Sequence, residues 1–474
     1  MGKLTGFLEY QRKNYGYRPV AERVNDYREQ VVPLTAEELS RQGARCMDCG
    51  IPFCHAMGCP LFNLIPEWND LVYKNKWREA YERLSLTNNF PEVTGRICPA
   101  PCETSCTLSI NDAPVTIKQI ELAIIERAYS EGWVVPRPPD FETGKKVAVI
   151  GSGPAGLAAA QQLRRLGHRV TVFEKTEHIG GIMRYGIPDF KLEKQVLDRR
   201  LEQLRAEGVE FETGVVIGED LSVRYLRRTY DAILLALGAG EPRDLQVPGR
   251  GLEGIHHAME YLTLSNSFRA GEIPEQQLIS ARNKTVLVIG GGDTGSDCVG
   301  TAIRQKAKKV YQFEILPKPE QWDNTFNPSW PAWPQILRTS TSHEEGCERQ
   351  WSVTTKQFTG KDGRVHQASC ARVEWKPDPA SGQMKMSEIP GSDFTIDADL
   401  VLLSMGFLHV KHSRLLAGLG IGFDNRGNIM AGSNHATNVS GVFSAGDSSL
   451  GASLVVRALY NGREAAKSID AFLS

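Results

Sequence analysis

After residue 145 the chain alternates short, almost unbroken apolar runs with amphipathic stretches, the pattern of buried parallel strands separated by helices. Lys146 to Ile150 and Arg169 to Phe173 read as such strands, and the Ala- and Leu-rich stretch between them, ending near Gly167, reads as a helix. Thr285 to Ile289 and Lys309 to Phe313 repeat the arrangement around a helix that reaches Lys306. A last short strand runs from Gly441 to Gly446-Asp447, and Ala452 to Ile469 predicts a helix after it. The N-terminal region differs. Its clearest period is helical, with Ile117, Ile120, Ile124 and Ala128 forming an apolar stripe over Thr116 to Tyr129, and Thr116 with Gln119 predicting a capping box. Glu121 sits inside that stripe. The stretch Arg137-Pro-Pro-Asp140 to Gly144 reads as a linker.

What lies between the strands and helices carries chemistry. The first strand runs into Gly151-Ser152-Gly153-Pro154-Ala155-Gly156, and the second ends at Glu174, 23 residues after the first glycine. Such glycines permit a tight turn, close approach of a pyrophosphate and close packing of helix on strand, while the acid accepts from a ribose. The helix N-terminus stabilises the phosphate charge. The second set has Gly290-Gly291-Gly292-Asp293-Thr294-Gly295, with Glu314 placed 24 residues after Gly290. Two fingerprints imply two dinucleotides, most simply FAD and a nicotinamide cofactor, since hydride transfer needs both rings stacked. The layout around Gly446 and Asp447 returns the chain to the first nucleotide domain and sets Asp447 by the flavin's ribityl–phosphate linkage. Glu314 suits the free 2′-hydroxyl of NADH, and no Arg follows it within Ile315 to Gln321, so the sequence favours NADH over NADPH.

Composition changes the picture in one place. Lys plus Arg total 55 and Asp plus Glu 56, a balance that argues against a nucleic-acid or membrane surface. No apolar run approaches a membrane span, and Met1 to Tyr10 lacks the layout of a signal peptide, so the expected location is the cytoplasm. Cysteine is the exception. Seven of the ten fall between Cys46 and Cys106: Cys46-x2-Cys49-x4-Cys54-x4-Cys59, a gap of 38 residues, then Cys98-x3-Cys102-x3-Cys106. In a reducing compartment such a cluster means metal or redox chemistry. Cys59 and Cys98 are each followed by proline, as is the last cysteine of a ferredoxin run, where ligand order need not follow sequence order. Structural zinc favours paired C-x2-C knuckles, and one such pair occurs. Two 4Fe-4S clusters need eight ligands, one more than these cysteines supply. Glu121 is either that ligand or a carboxylate at the edge of its stripe, exposed or paired with an Arg.

The stretches Cys46-Met-Asp-Cys49-Gly50-Ile-Pro-Phe-Cys54 and Gly95-Arg-Ile-Cys98-Pro-Ala-Pro-Cys102-Glu, both glycine fingerprints, and Gly180-Gly181-Ile-Met-Arg184-Tyr-Gly-Ile-Pro188-Asp-Phe-Lys191-Leu together resemble the small, or β, subunit of glutamate synthase. The N-terminal part of dihydropyrimidine dehydrogenase is similar in plan. The resemblance implies an α/β chain with an N-terminal α-helical iron–sulfur domain (1–144) and two Rossmann-like domains of the glutathione-reductase kind. The FAD domain would span 145–254 and 407–474, with the NAD(P)H domain inserted at 255–406. It implies that Cys46, Cys49, Cys54 and Cys106 hold one cluster, and that Cys59, Cys98 and Cys102 hold the other with Glu121. It also implies a glycine of the flavin site at Gly181. The implied activity is oxidation of NAD(P)H at FAD and passage of electrons through the clusters to the large (α) subunit, supporting glutamate formation from glutamine and 2-oxoglutarate. No general acid or base is expected, because hydride transfer needs geometry above all.

Two rival readings keep most of these residues. One sends the electrons to pyrimidine reduction or to ferredoxin in a bifurcating complex. The other treats the chain as an electron-wiring scaffold without nicotinamide turnover. Cys298, alone on its helix, reads as core. Trp322 to Pro334 reads as a loop over the nicotinamide domain, and Asp378 to Gly391 as an exposed hairpin.

Overall fold

The computed structural model describes residues 2–321, 329–333, 336–379 and 381–474. The principal helices of the N-terminal region are α1 (Ala36–Ala44), α2 (Ile65–Tyr73), α3 (Trp77–Thr87), α4 (Pro91–Ile97) and α5 (Ile117–Ser130). Local signals set several of their ends. Thr35 and Glu38 form a capping box at α1, and Pro91 opens α4, where its missing N–H costs nothing. The capping box expected at α5 does not form. Thr116 is fully buried and donates to Gln42 Oε1 at 2.9 Å, while Gln119 Oε1 accepts from the Tyr15 N–H at 2.6 Å. Both side chains have tertiary partners that outweigh the local ones.

The rest of the chain is built on parallel sheets. Strands β1 (Lys146–Ile150), β2 (Arg169–Phe173), β3 (Val209–Glu212) and β4 (Ala232–Leu235) flank helices α6 (Pro154–Arg165) and α7 (Lys194–Ala206). Strand β5 (Ile255–His257) and helix α8 (Ala258–Arg269) then lead to β6 (Thr285–Ile289), α9 (Asp293–Arg304), β7 (Lys309–Glu314) and β8 (Glu348–Trp351). An antiparallel excursion follows: β9 (Val353–Lys361), β10 (Arg364–Pro377), β11 (Met384–Glu388) and β12 (Phe394–Asp397). Its β10–β11 arm contains the Asp378 to Gly391 stretch. The chain re-enters a parallel sheet at β13 (Leu400–Leu403) and another at β14 (Val442–Ser444), and ends in α10 (Val455–Leu473).

Strand order in one sheet is β14-β4-β1-β2-β3, and in the other β8-β7-β6-β13-β5, with every pairing in both parallel. The inner strands are nearly unbroken apolar runs because both faces are covered: all four residues of β4 and of β13 are buried. Helix α10 returns the chain end to α6, so close at Gly462 that a Cβ there would lie 2.1 Å from Ala155 O. Cys298 is fully buried in the core of the second sheet.

Buried ion pairs join these units. Arg200 on α7 grips Glu92 on α4 with two hydrogen bonds of 2.7 Å. Arg23, from the N-terminal arm, reaches Glu345 at 2.8 Å, and Arg304 of α9 pairs with the same carboxylate at 2.5 Å.

Candidate functional site

The two glycine loops have the same construction. Each starts at a strand end and enters a helix, α6 or α9. Gly151 has φ of +105°, and a Cβ there would lie 2.3 Å from Ala236 O; a Cβ on Gly156 would lie 2.0 Å from Gly151 O. At Gly153, by contrast, a Cβ would meet nothing within 4 Å. The outer glycines are therefore required by packing and the middle one opens outward, where a pyrophosphate would approach the helix N-terminus. In the second loop a Cβ on Gly290 would lie 2.2 Å from Ser404 O and one on Gly295 2.4 Å from Gly290 O, while Gly292 is again open. Asp293 and Thr294 open α9 at the same edge. The donor sets fit two dinucleotides.

The two acids do something their spacing does not show. Glu174 Oε2 accepts from both Ser152 N–H (3.1 Å) and Ser152 Oγ (2.6 Å), and Oε1 from Thr176 N–H (3.0 Å). Glu314 Oε2 accepts from Gly291 N–H at 2.6 Å and Oε1 from Leu316 N–H at 3.1 Å. Each carboxylate thus braces its own glycine loop; Glu314 keeps lone pairs for a ribose, whereas Glu174 also accepts from Thr176 Oγ1 at 2.9 Å, so a ribose there would have to displace one of its partners. Gly181 closes against the first loop, where its Cβ would lie 2.9 Å from Gly153 Cα. Gly446 approaches the same loop from the C-terminal strand, a Cβ there falling 2.8 Å from Ala155 Cβ. Next to it, Asp447 is mostly buried, which pushes its carboxyl up, and accepts from Ser453 Oγ at 2.8 Å.

The cysteines come together from two chain segments. Cys46, Cys54, Cys59, Cys102 and Cys106 are buried, and Cys49 and Cys98 half-buried. Cys46, Cys49, Cys54 and Cys106 line one cavity with Phe53, Pro66 and Val115. Burial is the main force on their ionisation, pushing Cys46 up to about 11 and Cys54 and Cys106 upward as well, with the other thiols of this set adding to it. Burial also pushes Cys59 and Cys98 up to about 12 and Cys102 far upward. There the added repulsion comes from Glu121 on all three, and from Cys59 on Cys98 and Cys102. The thiols therefore fall into two sets that interleave in sequence.

Backbone geometry supports both. Asp48 and Ala100, inside the cysteine loops, have left-handed φ of 51° and 58°, a strained conformation for residues with side chains. The Ala100 N–H donates to Cys98 Sγ at 3.4 Å. N–H donors to sulfur favour the thiolate that iron binds. A single tetrahedral zinc needs its thiolates about 2.3 Å from one point. Among the described residues no group of three or more His, Cys, Asp or Glu is so drawn together.

Glu121 lies on α5 with 5% of its surface exposed. Burial pushes its carboxyl up to about 7, against hydrogen bonds from Thr94 and Asn88 that favour the charged form. Neither Asn88 nor Thr94 was visible as a site residue, because the chain carries Asn88 at the end of α3 and Thr94 within α4, far in sequence from α5. The described part of the tryptophan-rich loop also reaches the cysteine module: the Trp330 and Phe53 rings are 4.6 Å apart, Trp330 Nε1 donates to Cys106 O at 3.3 Å, and Ser105 Oγ donates to Pro331 O at 2.7 Å, while Trp333 lies 3.8 Å under the guanidinium of Arg338, within the 255–406 segment. Trp322 and Pro334 lie outside the described residues. No helix among the described residues is long and apolar enough to cross a membrane.

Comparison with known proteins agrees with this geometry. The family described as pyridine nucleotide-disulphide oxidoreductase matches residues 145–462, and that described as dihydropyrimidine dehydrogenase domain II, 4Fe-4S cluster, matches residues 23–133. The NADPH glutamate synthase small chain of Mycobacterium tuberculosis is 54% identical over 473 residues, covering 99% of this chain and 95% of its own. That of Bacillus subtilis is 45% identical, covering 100% and 99%. The NADH glutamate synthase of Schizosaccharomyces pombe is 46% identical over 99% of this chain but only 23% of its own length. Among solved structures, FprA of Mycobacterium tuberculosis in complex with NADPH superposes with a TM-score of 0.54 over 70% of this chain and 85% of its own, at 17% identity, a likeness of fold. The chain is an NAD(P)H-dependent flavin and iron–sulfur oxidoreductase and belongs to the glutamate synthase small-chain family.

Proposed function

We propose that the chain oxidises NAD(P)H and delivers the electrons, through FAD and two 4Fe-4S clusters, to a glutamate synthase large subunit that makes glutamate from glutamine and 2-oxoglutarate. The observation that carries this reading is the presence in one chain of two glycine loops on separate parallel sheets and of two interleaved thiol sets. When bound, the flavin takes a hydride from the nicotinamide and the clusters pass its electrons on singly.

The chain's own residues bind and orient. Gly151 to Gly156 and the N-terminus of α6 hold the FAD pyrophosphate, Glu174 its ribose, and Gly181, Gly446 and Asp447 border the same site. Gly290 to Gly295 and the N-terminus of α9 hold the NAD(P)H pyrophosphate, with Glu314 at its ribose. Cys46, Cys49, Cys54 and Cys106 hold one cluster; Cys59, Cys98, Cys102 and Glu121 hold the other. The domains run 1–144, then 145–254 with 407–474, and 255–406 between. The return of β14 to the sheet of β1 supports that division. Ten free cysteines support a reducing, cytoplasmic location.

The test is anaerobic isolation of the chain with its native partners. Co-purification of a large flavin-containing subunit, and NAD(P)H oxidation that requires both glutamine and 2-oxoglutarate, is the expected result. A different redox partner, or oxidation supported only by ferredoxin or a pyrimidine, would overturn the named reaction.

A further inference from the structure

Glu121 is a nearly buried carboxylate that forms no ion pair with a Lys or Arg among the described residues; the charge of Lys118, one turn before it, acts on it only from beyond contact. Burial at that level is costly for a carboxylate without a cation. The two hydrogen bonds it receives come from neutral groups, and both fall on the same oxygen: Asn88 Nδ2 donates to Oε1 at 2.9 Å, and Thr94 Oγ1 also donates to Oε1. The direction of this small network is determined. Asn88 Oδ1 accepts from Phe90 N–H at 2.9 Å, which turns Nδ2 towards Glu121 and Thr94. Nδ2 also donates to Thr94 Oγ1 at 2.8 Å, so the one hydroxyl proton of Thr94 goes elsewhere, and the Glu121 carboxylate is nearer than the competing carbonyls of Phe90 at 3.3 Å and Pro91 at 3.5 Å. Asn88 and Thr94 are each 2% exposed.

The network is also anchored on both sides. Thr87 Oγ1 donates to Asn63 Oδ1 at 2.7 Å, and Asn63 belongs to the loop that follows Cys59. Asn89 donates to Gln161 on α6 at 2.6 Å and accepts from Arg463 on α10 at 2.6 Å. The turn carrying Asn88 is therefore held between the cysteine loop and the helix of the first glycine loop.

We propose that Asn88 and Thr94 are positioning residues for Glu121, holding Oε1 so that Oε2 is presented to the iron left without a thiolate by Cys59, Cys98 and Cys102. The inference rests on Glu121 as the eighth ligand, and goes beyond it by assigning what aims and tunes that ligand. Donors on a coordinating carboxylate draw electron density from it, so their removal makes it a stronger donor to ferric iron and moves the cluster's midpoint potential to a more negative value.

The experiment uses the full chain purified anaerobically with its iron, and reads iron content, EPR lineshape and the midpoint potential of each cluster. Thr94→Val is expected to keep all the iron, shift one cluster to more negative potential with a changed lineshape, and leave the other as in the parent; Thr94→Ser is expected to restore the parent values. Should Thr94→Val not yield folded protein, Asn88→Ala reads the same potential. Glu121→Ala tests the underlying assignment and is expected to lose the signal of that same cluster alone. If Glu121→Ala removes one cluster while Thr94→Val and Asn88→Ala leave both potentials and lineshapes unchanged, the positioning role is refuted and the ligand stands. A general loss of iron from both clusters in Thr94→Val and Asn88→Ala marks a structural role and refutes it too. If Glu121→Ala keeps both clusters intact, the ligand assignment falls and the proposal with it.

Discussion

The glycine loops and the cysteine module both prepare a place for a highly charged group, and they do so by opposite means. Each glycine loop is one continuous stretch of backbone whose shape is set by what cannot fit: a Cβ at Gly156 or Gly295 would run into a carbonyl of its own loop. Its acid, Glu174 or Glu314, already braces the turn. The cysteine module gathers side chains from segments far apart in sequence and buries thiols whose ionisation is thereby opposed. A backbone site can be formed before its ligand arrives. A buried thiol set becomes a good site only when iron takes the charge, so metal binding and folding are coupled there.

Substituting within each region should separate the two. Cys102→Ser is expected to abolish one cluster, about half the iron, and to lower the melting temperature while the FAD content stays; iron analysis and flavin absorbance on one sample check this. Gly156→Val should do the reverse, eliminating FAD binding with iron retained. Gly295→Val should keep both FAD and iron but abolish flavin reduction by NAD(P)H, followed by anaerobic stopped flow. Retention of FAD by Gly156→Val would mean that the loop relaxes in a way its packing argues against.

Acidity offers a second contrast. In the iron-free fold Cys46, Cys59 and Cys98 stand at about 11, 12 and 12, above the ordinary 9.0. Their protonated burial therefore favours the fold below pH 9.0, and that contribution is lost as pH rises through 11 to 12. Alkaline unfolding, followed by circular dichroism, should begin at lower pH without iron than with it, and the region after residue 145 should show no such dependence on iron.

Smaller effects lie at the joints. Glu92→Gln leaves Arg200 buried without its carboxylate and should cost about 3–5 kcal/mol in chemical denaturation, because breaking a buried pair strands the remaining charge. Trp330→Ala removes one aromatic contact and one hydrogen bond over the first thiol set. About 1 kcal/mol is expected, together with faster bleaching of the iron–sulfur absorption in air. Equal bleaching in parent and variant would show that the loop adds packing without shielding.

The amino-acid sequence by itself determined the strands, the glycine loops and their acids, because their function depends on neighbours within a few residues and on an apolar run long enough to fill a covered strand. It also singled out the cysteine-dense stretch 46–106, whose thiols the fold draws together. The tertiary structure decided the rest. Interleaving of the two thiol sets depends on how 46–59 folds against 98–106, and the surroundings of Glu121 depend on a turn some thirty residues before it. The expected cap at Thr116 failed because Gln42, 74 residues away, offers a better partner in the folded chain. The tryptophan-rich loop read as cover for the nicotinamide domain because it follows that domain's strand, and the fold adds a contact the sequence did not show, between Trp330 and Phe53 of the cysteine module. Local backbone geometry leaves a mark in sequence because neighbouring residues must agree to make it. A buried polar contact between distant segments leaves none, since each partner is an ordinary residue until the fold brings the other to it.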